Sequence, residues 1–548
     1  MSESEHTLPE ITKECASSGF GISRDAAVRI QEQGNSNLFL EELLSSLDSD
    51  CNMISVSDVA DFVESAELTQ DSDGEDEPQS KNNGDMRTVF DRGSGLKAQT
   101  INSSASTEGK VYTLGSEPVS GTEAREKWPE MFDTTLCDEI THTISRDDAE
   151  RDFSITGDIT GDSKTTGTVE DFNKLFRNRY KRVSEILENK MPGNIPIEQL
   201  TARRGGKDVP FTGIVNRQWT SQNNNAMLEL EDTTGSIPIV FTDERMSDIL
   251  NKVTTDEIVG VLGQLSDDGN IVFGNQIFFP DIPPMRSPNT TNRSVKAVLL
   301  SDLHFGGVDF AAKEWKSFVN WISTSDEAKE IEYILIAGDL VEGIGVYPGQ
   351  EDELGVIDIY DQYVLCAEAL KQIPSDIDII TIMGNHDTVR LAEPQPVLKD
   401  KFKEPFGDNV TFAGNPSMVN IEGVKFQLYH GMSINPFTDR VPGLDIHEPT
   451  GAMELMLEKR HLAPMYGQNV RLAPEPEDYL VIEEVPDVLH TGHVHTFGMN
   501  KYNGVMMVNT GCWQYQTDFQ RKLNVEPDVG YAPVMNLETF EFDIKKFN

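Results

Sequence analysis

The sequence predicts a multidomain chain that ends in an α/β domain, preceded by a small β-barrel and, at the N-terminus, a short helical unit. Three observations carry this. The 548 residues exceed what one hydrophobic core organises. Apolar residues alternate with period two between about 194 and 286, whereas after 295 continuous apolar runs alternate with amphipathic stretches of helical spacing. Each polar cluster in that last region follows directly on an apolar run. The division is 1–66, a small helical unit; 67–168, an acidic disordered linker; 169–193, a basic amphipathic helix; 194–286, the barrel; 287–294, a second linker; and 295–548, the α/β domain.

Charge bounds the chemistry. Asp and Glu number 92 against 46 Lys and Arg, a net of −46. The excess continues into regions that read as folded, such as Glu475, Glu477, Asp478, Glu483 and Glu484. A surface acidic throughout suits a halophilic cytoplasm, where screening lengths fall to about 3 Å at molar salt. The low pI therefore does not exclude a nucleic-acid partner. No apolar run is long enough to span a membrane, and the acidic N-terminus lacks a signal-peptide pattern, so a cytoplasmic location is expected. Five scattered cysteines without a C-x-x-C suggest neither a zinc ribbon nor a disulfide framework.

The elements follow in order. Leu38, Leu40, Leu43, Leu44 and Leu47 give a helical stripe in the N-terminal unit. Asp71 to Glu77 opens a stretch rich in Ser, Thr, Gly and acid, which is disordered by composition. Between Glu170 and Met191, Phe172, Leu175, Phe176, Tyr180, Val183, Ile186 and Leu187 share one helix face. Lys174, Arg177, Arg179, Lys181 and Arg182 cover much of the remainder, either as a solvated face or as a contact for DNA or an acidic partner. Five strand-like runs then surround a helix-like Glu244–Lys252, a pattern that resembles an OB-fold. Arg217 and Trp219 are candidate single-strand contacts there.

Five fragments carry the chemistry. Ser301-Asp302-Leu303-His304, Gly338-Asp339, Gly384-Asn385-His386-Asp387, Tyr429-His430-Gly431 and Gly492-His493-Val494-His495 each terminate an apolar run. Asp, Asn and His offer hard to borderline donors suited to Mn, Fe or Zn. In D-x-H and H-x-H, residues i and i+2 leave a strand end on one side and can reach the same or adjacent ions. Two ions in one site need a shared carboxylate, and Asp339 is the natural bridge because its glycine neighbour permits a tight turn. Such a pair would activate a hydroxide as nucleophile, and His386, adjacent to a ligand position, can protonate the leaving oxygen.

These fragments are similar to those of the calcineurin-like metallophosphoesterases, whose pattern is D-x-H, G-D, G-N-H-D/E, H and G-H-x-H. The resemblance implies a two-sheet sandwich flanked by helices. It also implies Asp302, His304, Asp339, Asn385, His430, His493 and His495 as ligands of two divalent ions (Mn, with Fe, Zn or Mg as alternatives) and His386 as the acid. The upstream barrel, Gly345–Gln350 and Arg460–Gly467 further resemble the small-subunit family of archaeal D-family DNA polymerases, over about 170–548. That resemblance implies 3′-to-5′ proofreading exonuclease activity and a large catalytic subunit as partner, with DNA synthesis belonging to the complex. Single-stranded or primer–template DNA is the implied substrate, and the sliding clamp a further candidate partner. Lys459 and Arg460 are candidate phosphate contacts. The residues alone reach only phosphoester hydrolysis. They leave open a phosphatase of nucleotides or phosphoproteins and a non-catalytic scaffold.

Overall fold

The computed structural model describes residues 151–548 apart from 201–207, 348, 468–469, 523 and 548, together with β1 (Gly21–Ile22) and β2 (Met53–Ile54), which pair in parallel. The expected N-terminal helical unit and most of the acidic linker lie outside the described residues.

The α/β domain is built on two six-stranded sheets. The first uses β9 (Lys296–Leu300), β10 (Ile331–Ile336), β11 (Asp378–Thr381) and β12 (Val410–Phe412) in parallel, and β18 (Tyr531–Asn536) and β19 (Phe542–Lys546) antiparallel at the other edge. The second contains β3 (Phe153–Thr156), β13 (Ser417–Ile421), β14 (Val424–Leu428), β15 (Val488–Thr491), β16 (Phe497–Tyr502) and β17 (Val505–Thr510). Between the sheets lies a dry core of Ala297, Leu299, Leu335, Ile380, Phe426, Leu428, Val488 and Val508, all buried. Both faces of β10 are buried, so it reads as a continuous apolar run rather than an alternating one. Helices α2 (Ala312–Thr324) and α3 (Ile359–Leu370) cover the outer face of the first sheet through Trp315, Phe318, Tyr363 and Leu370. Helices α4 (Ile434–Arg440) and α5 (Thr450–Lys459) cover that of the second through Phe437, Met453 and Met456.

One boundary is corrected. Residues 151–168 fall within the expected linker, yet β3 pairs antiparallel with β13 and sets Phe153 and Ile155 against the inter-sheet core. Four alternating residues inside an acid-rich stretch are too short a signal to outweigh composition. The α/β domain thus takes an edge strand from before the barrel.

Residues Val209–Thr220 (β4), Ala226–Glu231 (β5), Ser236–Phe241 (β6), Ile258–Leu265 (β7) and Val272–Phe278 (β8) close into a barrel in the order β4-β5-β6-β8-β7, with β6 and β8 parallel. Phe211, Val215, Leu228, Leu230, Ile239, Val259 and Val261 fill its interior.

The basic helix is the second correction. Helix α1 (Val169–Glu188) starts at a capping box of Thr168 and Asp171. Its Arg179 is 0% exposed. Arg179 Nε donates to Asp478 Oδ2 at 2.6 Å and Nη1 to the Pro464 carbonyl at 2.7 Å. His461 Nε2 lies 3.0 Å from the same Asp478 oxygen. Arg182 reaches Glu483 at 2.5 Å. Periodicity alone assigned these cations to an outer face; Asp478, some 300 positions later, claims Arg179 for the interior, whereas Arg182 is half-buried beside Glu483 and Lys174, Arg177 and Lys181 stay exposed. Lys459 and Arg460 are corrected likewise. Lys459 is buried, ion-paired with Glu257, and donates to the Lys252 carbonyl at 2.7 Å. Arg460 is buried and donates from Nε to the Ile482 carbonyl at 2.6 Å. Both side chains are taken up inside the fold: Lys459 ties the segment 432–486 to the barrel region, and Arg460 ties two parts of that segment together.

Burial opposes the charge on Asp478, but Arg179 and His461 overcome it and hold the carboxyl far below its usual range. Replacing Arg179 by Ala leaves that charge buried and is expected to cost about 3–5 kcal/mol. A depressed folded pKa stabilises above the unfolded value, about 3.9 for Asp, and the contribution fades as pH falls through and below it. The difference in unfolding temperature between the wild type and Arg179→Ala should therefore be full at pH 7 and shrink below pH of about 4.

Candidate metal centre

The parallel register sets the strand ends level. Ile336 of β10 lies opposite Leu300 of β9 and Thr381 of β11, so the chain leaves all three strands at one rim. In the second sheet Leu428 of β14 pairs with His490 of β15, which brings His430 and His493 to the same rim. The turns that follow are strained. Asp302, His304, Asp339, His493 and His495 all adopt positive φ, between 51° and 72°. Backbone bonds hold them there: Asp302 N–H donates to Gly338 O at 3.0 Å and His304 N–H to Asp339 O at 3.1 Å. The motif glycines are demanded by crowding. A Cβ on Gly384 would lie 2.1 Å from Asp339 Oδ1, and one on Gly492 2.2 Å from Asp302 Oδ2.

All eight expected centre residues converge. His304 Nε2 and His495 Nε2 face each other at 3.0 Å, with Asp302 Oδ1 3.5 Å from His495 and 3.9 Å from His304. On the other side, Asn385 Oδ1 lies 2.9 Å from His430 Nε2 and 2.8 Å from His493 Nδ1. Asp339 stands between, with Oδ2 3.3 Å from His430 Nε2 and 3.8 Å from His304 Nε2. His386 donates its backbone N–H to Asp339 Oδ1 at 2.8 Å and turns Nδ1 to the Glu342 carbonyl at 2.6 Å.

The donor set fits divalent ions. His430 Nδ1 bonds the Ala337 carbonyl at 2.8 Å, which makes it the N–H of the neutral ring and aims a bare Nε2 at two acceptor oxygens, on Asn385 and Asp339. Lone pair against lone pair needs a cation between them, whether proton or metal. Burial depresses His430, yet Asp339 and Asp302 overcome this and raise it to about 10. Burial, then the charge on His430, pushes His493 down to about 3. Asp302, His304 and His495 form one cluster of metal-ligating geometry; Asp302, Asp339 and His430 form another.

Two residues escaped sequence reading. Glu342 is buried, with Oε2 3.0 Å from His304 Nδ1, and accepts from Gln514 and Gln350. Asp387 is buried and collects the backbone N–H groups of Asp339 and Gly384 at 3.1 and 2.9 Å and the Tyr363 hydroxyl at 3.1 Å. Asp387 was visible as the last letter of G-N-H-D; Glu342, three positions past Asp339, had only its proximity as a signal. The barrel candidates remain at the surface: Arg217 pairs with Glu229 at 2.7 Å and lies 4.6 Å over the Trp219 ring.

A two-sheet sandwich with this rim of Asp, Asn and His defines a phosphoesterase, and residues 295–497 match the family model described as calcineurin-like phosphoesterase. Much longer matches run to polymerase subunits. The chain is 43% identical over 465 residues to the DNA polymerase II small subunit of Halobacterium salinarum, covering 84% of this chain and 90% of that one. It is 44% identical to that of Archaeoglobus fulgidus (69% and 77% covered) and 40% to that of Methanothermobacter thermautotrophicus (71% and 82%). The chain belongs to the DNA polymerase II small subunit family. Among the described residues no helix is long and apolar enough to cross a membrane.

Because a Cβ on Gly384 would lie 2.1 Å from the Asp339 carboxylate and 2.6 Å from its backbone nitrogen, Gly384→Ala should shift the Asp339 turn as well as its carboxylate. Mn affinity, measured by calorimetry, is expected to drop about 10- to 100-fold, the size of effect seen when ligand orientation is lost.

Proposed function

We propose that this centre is the 3′-to-5′ proofreading exonuclease of an archaeal replicative polymerase, acting beside a large subunit that carries DNA synthesis. The observation that carries the reading is the convergence of all eight motif residues in a chain of this family. Asp302, His304 and His495 would hold one divalent ion and Asn385, His430 and His493 the other, with Asp339 shared. Mn is the first candidate, then Fe, Zn or Mg. When bound, the pair would neutralise phosphate charge and make a water acidic enough to attack phosphorus.

The protein's own residues do the rest. Asp387 and the Ala337 carbonyl fix the Asp339 turn and the His430 ring. Glu342 orients His304 through Nδ1. The Glu342 carbonyl takes Nδ1–H of His386 and fixes the ring, so that in the doubly protonated imidazolium form Nε2 would carry the proton for the leaving 3′ oxygen. We read the five-stranded barrel as an OB-fold, with Arg217 and Trp219 as single-strand contacts and primer–template DNA and a sliding clamp as partners. The acidic composition and the 43% identity to a Halobacterium protein support a halophilic source.

End-labelled single strands and mismatched primers with Mn test the reading. Wild type should shorten them from the 3′ end. His386→Ala should keep its Mn and lose roughly 100- to 10,000-fold in rate. No shortening, or equal shortening by His386→Ala, contradicts it.

A further inference from the structure

Two aromatic rings stack at the lip of the centre. Tyr347 and Phe519 lie 5.1 Å apart between centroids with planes 22° apart, and the Tyr347 ring is 6.2 Å from that of His386. Both are fixed to the centre rather than loosely placed. The Tyr347 hydroxyl donates to Glu353 Oε2 at 2.5 Å and lies 3.3 Å from Oε1 of Glu342, the residue that orients His304. Phe519 sits on the short helix α6 (Asp518–Lys522), whose Gln520 reaches His495 Nδ1 at 2.6 Å. Phe519 nevertheless stays 44% exposed.

Phe519 shares its exposure with other apolar side chains such as Phe273 and is singled out by its place beside the centre. A core role is excluded by the exposure, and the pairing with Tyr347 covers only part of the ring. The charge balance adds a second argument. With a net of −46, the protein gains little from counterion release when it meets a polyanion. Uncharged contacts then carry more of the affinity for a strand, and stacking of a base on an aromatic ring contributes about 1–3 kcal/mol per base.

We propose that Tyr347 and Phe519 form a stacking platform for the terminal nucleobase of the strand, with Phe519 as the exposed outer face and Tyr347 as its anchor. The base would extend the existing stack on its exposed side, with its phosphate directed toward the metal-ligand cluster. Phe519 is thus a positioning residue, and the proposal rests on the exonuclease reading of the centre.

The test uses the Mn-loaded full-length chain and oligothymidylates that end either in a normal 3′ nucleotide or in an abasic tetrahydrofuran residue. On the normal end, Phe519→Ala should raise KM about tenfold, within the range set by one lost stacking contact. The effect should fall on KM rather than on kcat, and Phe519→Trp should restore it. On the abasic end, Phe519→Ala should match the wild type, because no base remains to stack. Equal KM changes on both ends, or no change on either, overturn the platform. A wild type that shortens neither strand overturns the exonuclease reading instead. Mn content measured on each variant guards against a centre damaged through Gln520.

Discussion

The Asp339 carboxylate is the point on which the centre closes. It lies between His304 and His430, takes the backbone N–H of His386, and leaves no room for a side chain on Gly384. Each neighbour comes from a different strand end, so the centre exists only while β9, β10 and β11 keep their register against the second sheet. A slip of one residue in β10 would turn Asp339 to the opposite face. The backbone at Asp302, Asp339 and His493 is held at positive φ, a cost of order 1–3 kcal/mol for each such residue. The buried sheets around the rim over-determine these turns and make that cost bearable.

Charge in the centre follows the same logic. Three buried acids, Asp302, Asp339 and Glu342, face a handful of imidazoles. Burial depresses His430, but Asp339 and Asp302 outweigh it and raise it to about 10. A divalent ion competes for the same lone pair, so metal affinity is tied to proton release and rises with pH. Glu342 joins this electrostatic unit to the aromatic lip through Tyr347, and Gln520 joins it from the other side through His495.

Much of this was legible in the sequence because the signals are local. Apolar runs that end in Asp-x-His, Gly-Asp, Gly-Asn-His-Asp and His-x-His mark strand ends, and their chemistry needs no knowledge of distant partners. The strand alternation of the barrel was readable for the same reason. What escaped depends on long-range contacts. Arg179 reads as a surface cation until Asp478 and His461 arrive from the segment before β15. Lys459 reads as a phosphate contact until Glu257 takes it from the barrel. Strand β3 is invisible without β13 beside it. Glu342 has no motif of its own; only the fold shows that it orients His304.

The central claim is that one carboxylate, Asp339, couples two ion sites. Electron paramagnetic resonance of the Mn-loaded chain measures that coupling directly. The wild type should give an exchange-coupled pair signal, and Asp339→Asn should reduce it to uncoupled single-ion Mn. An uncoupled signal in the wild type, or a pair signal that survives Asp339→Asn, would contradict the account.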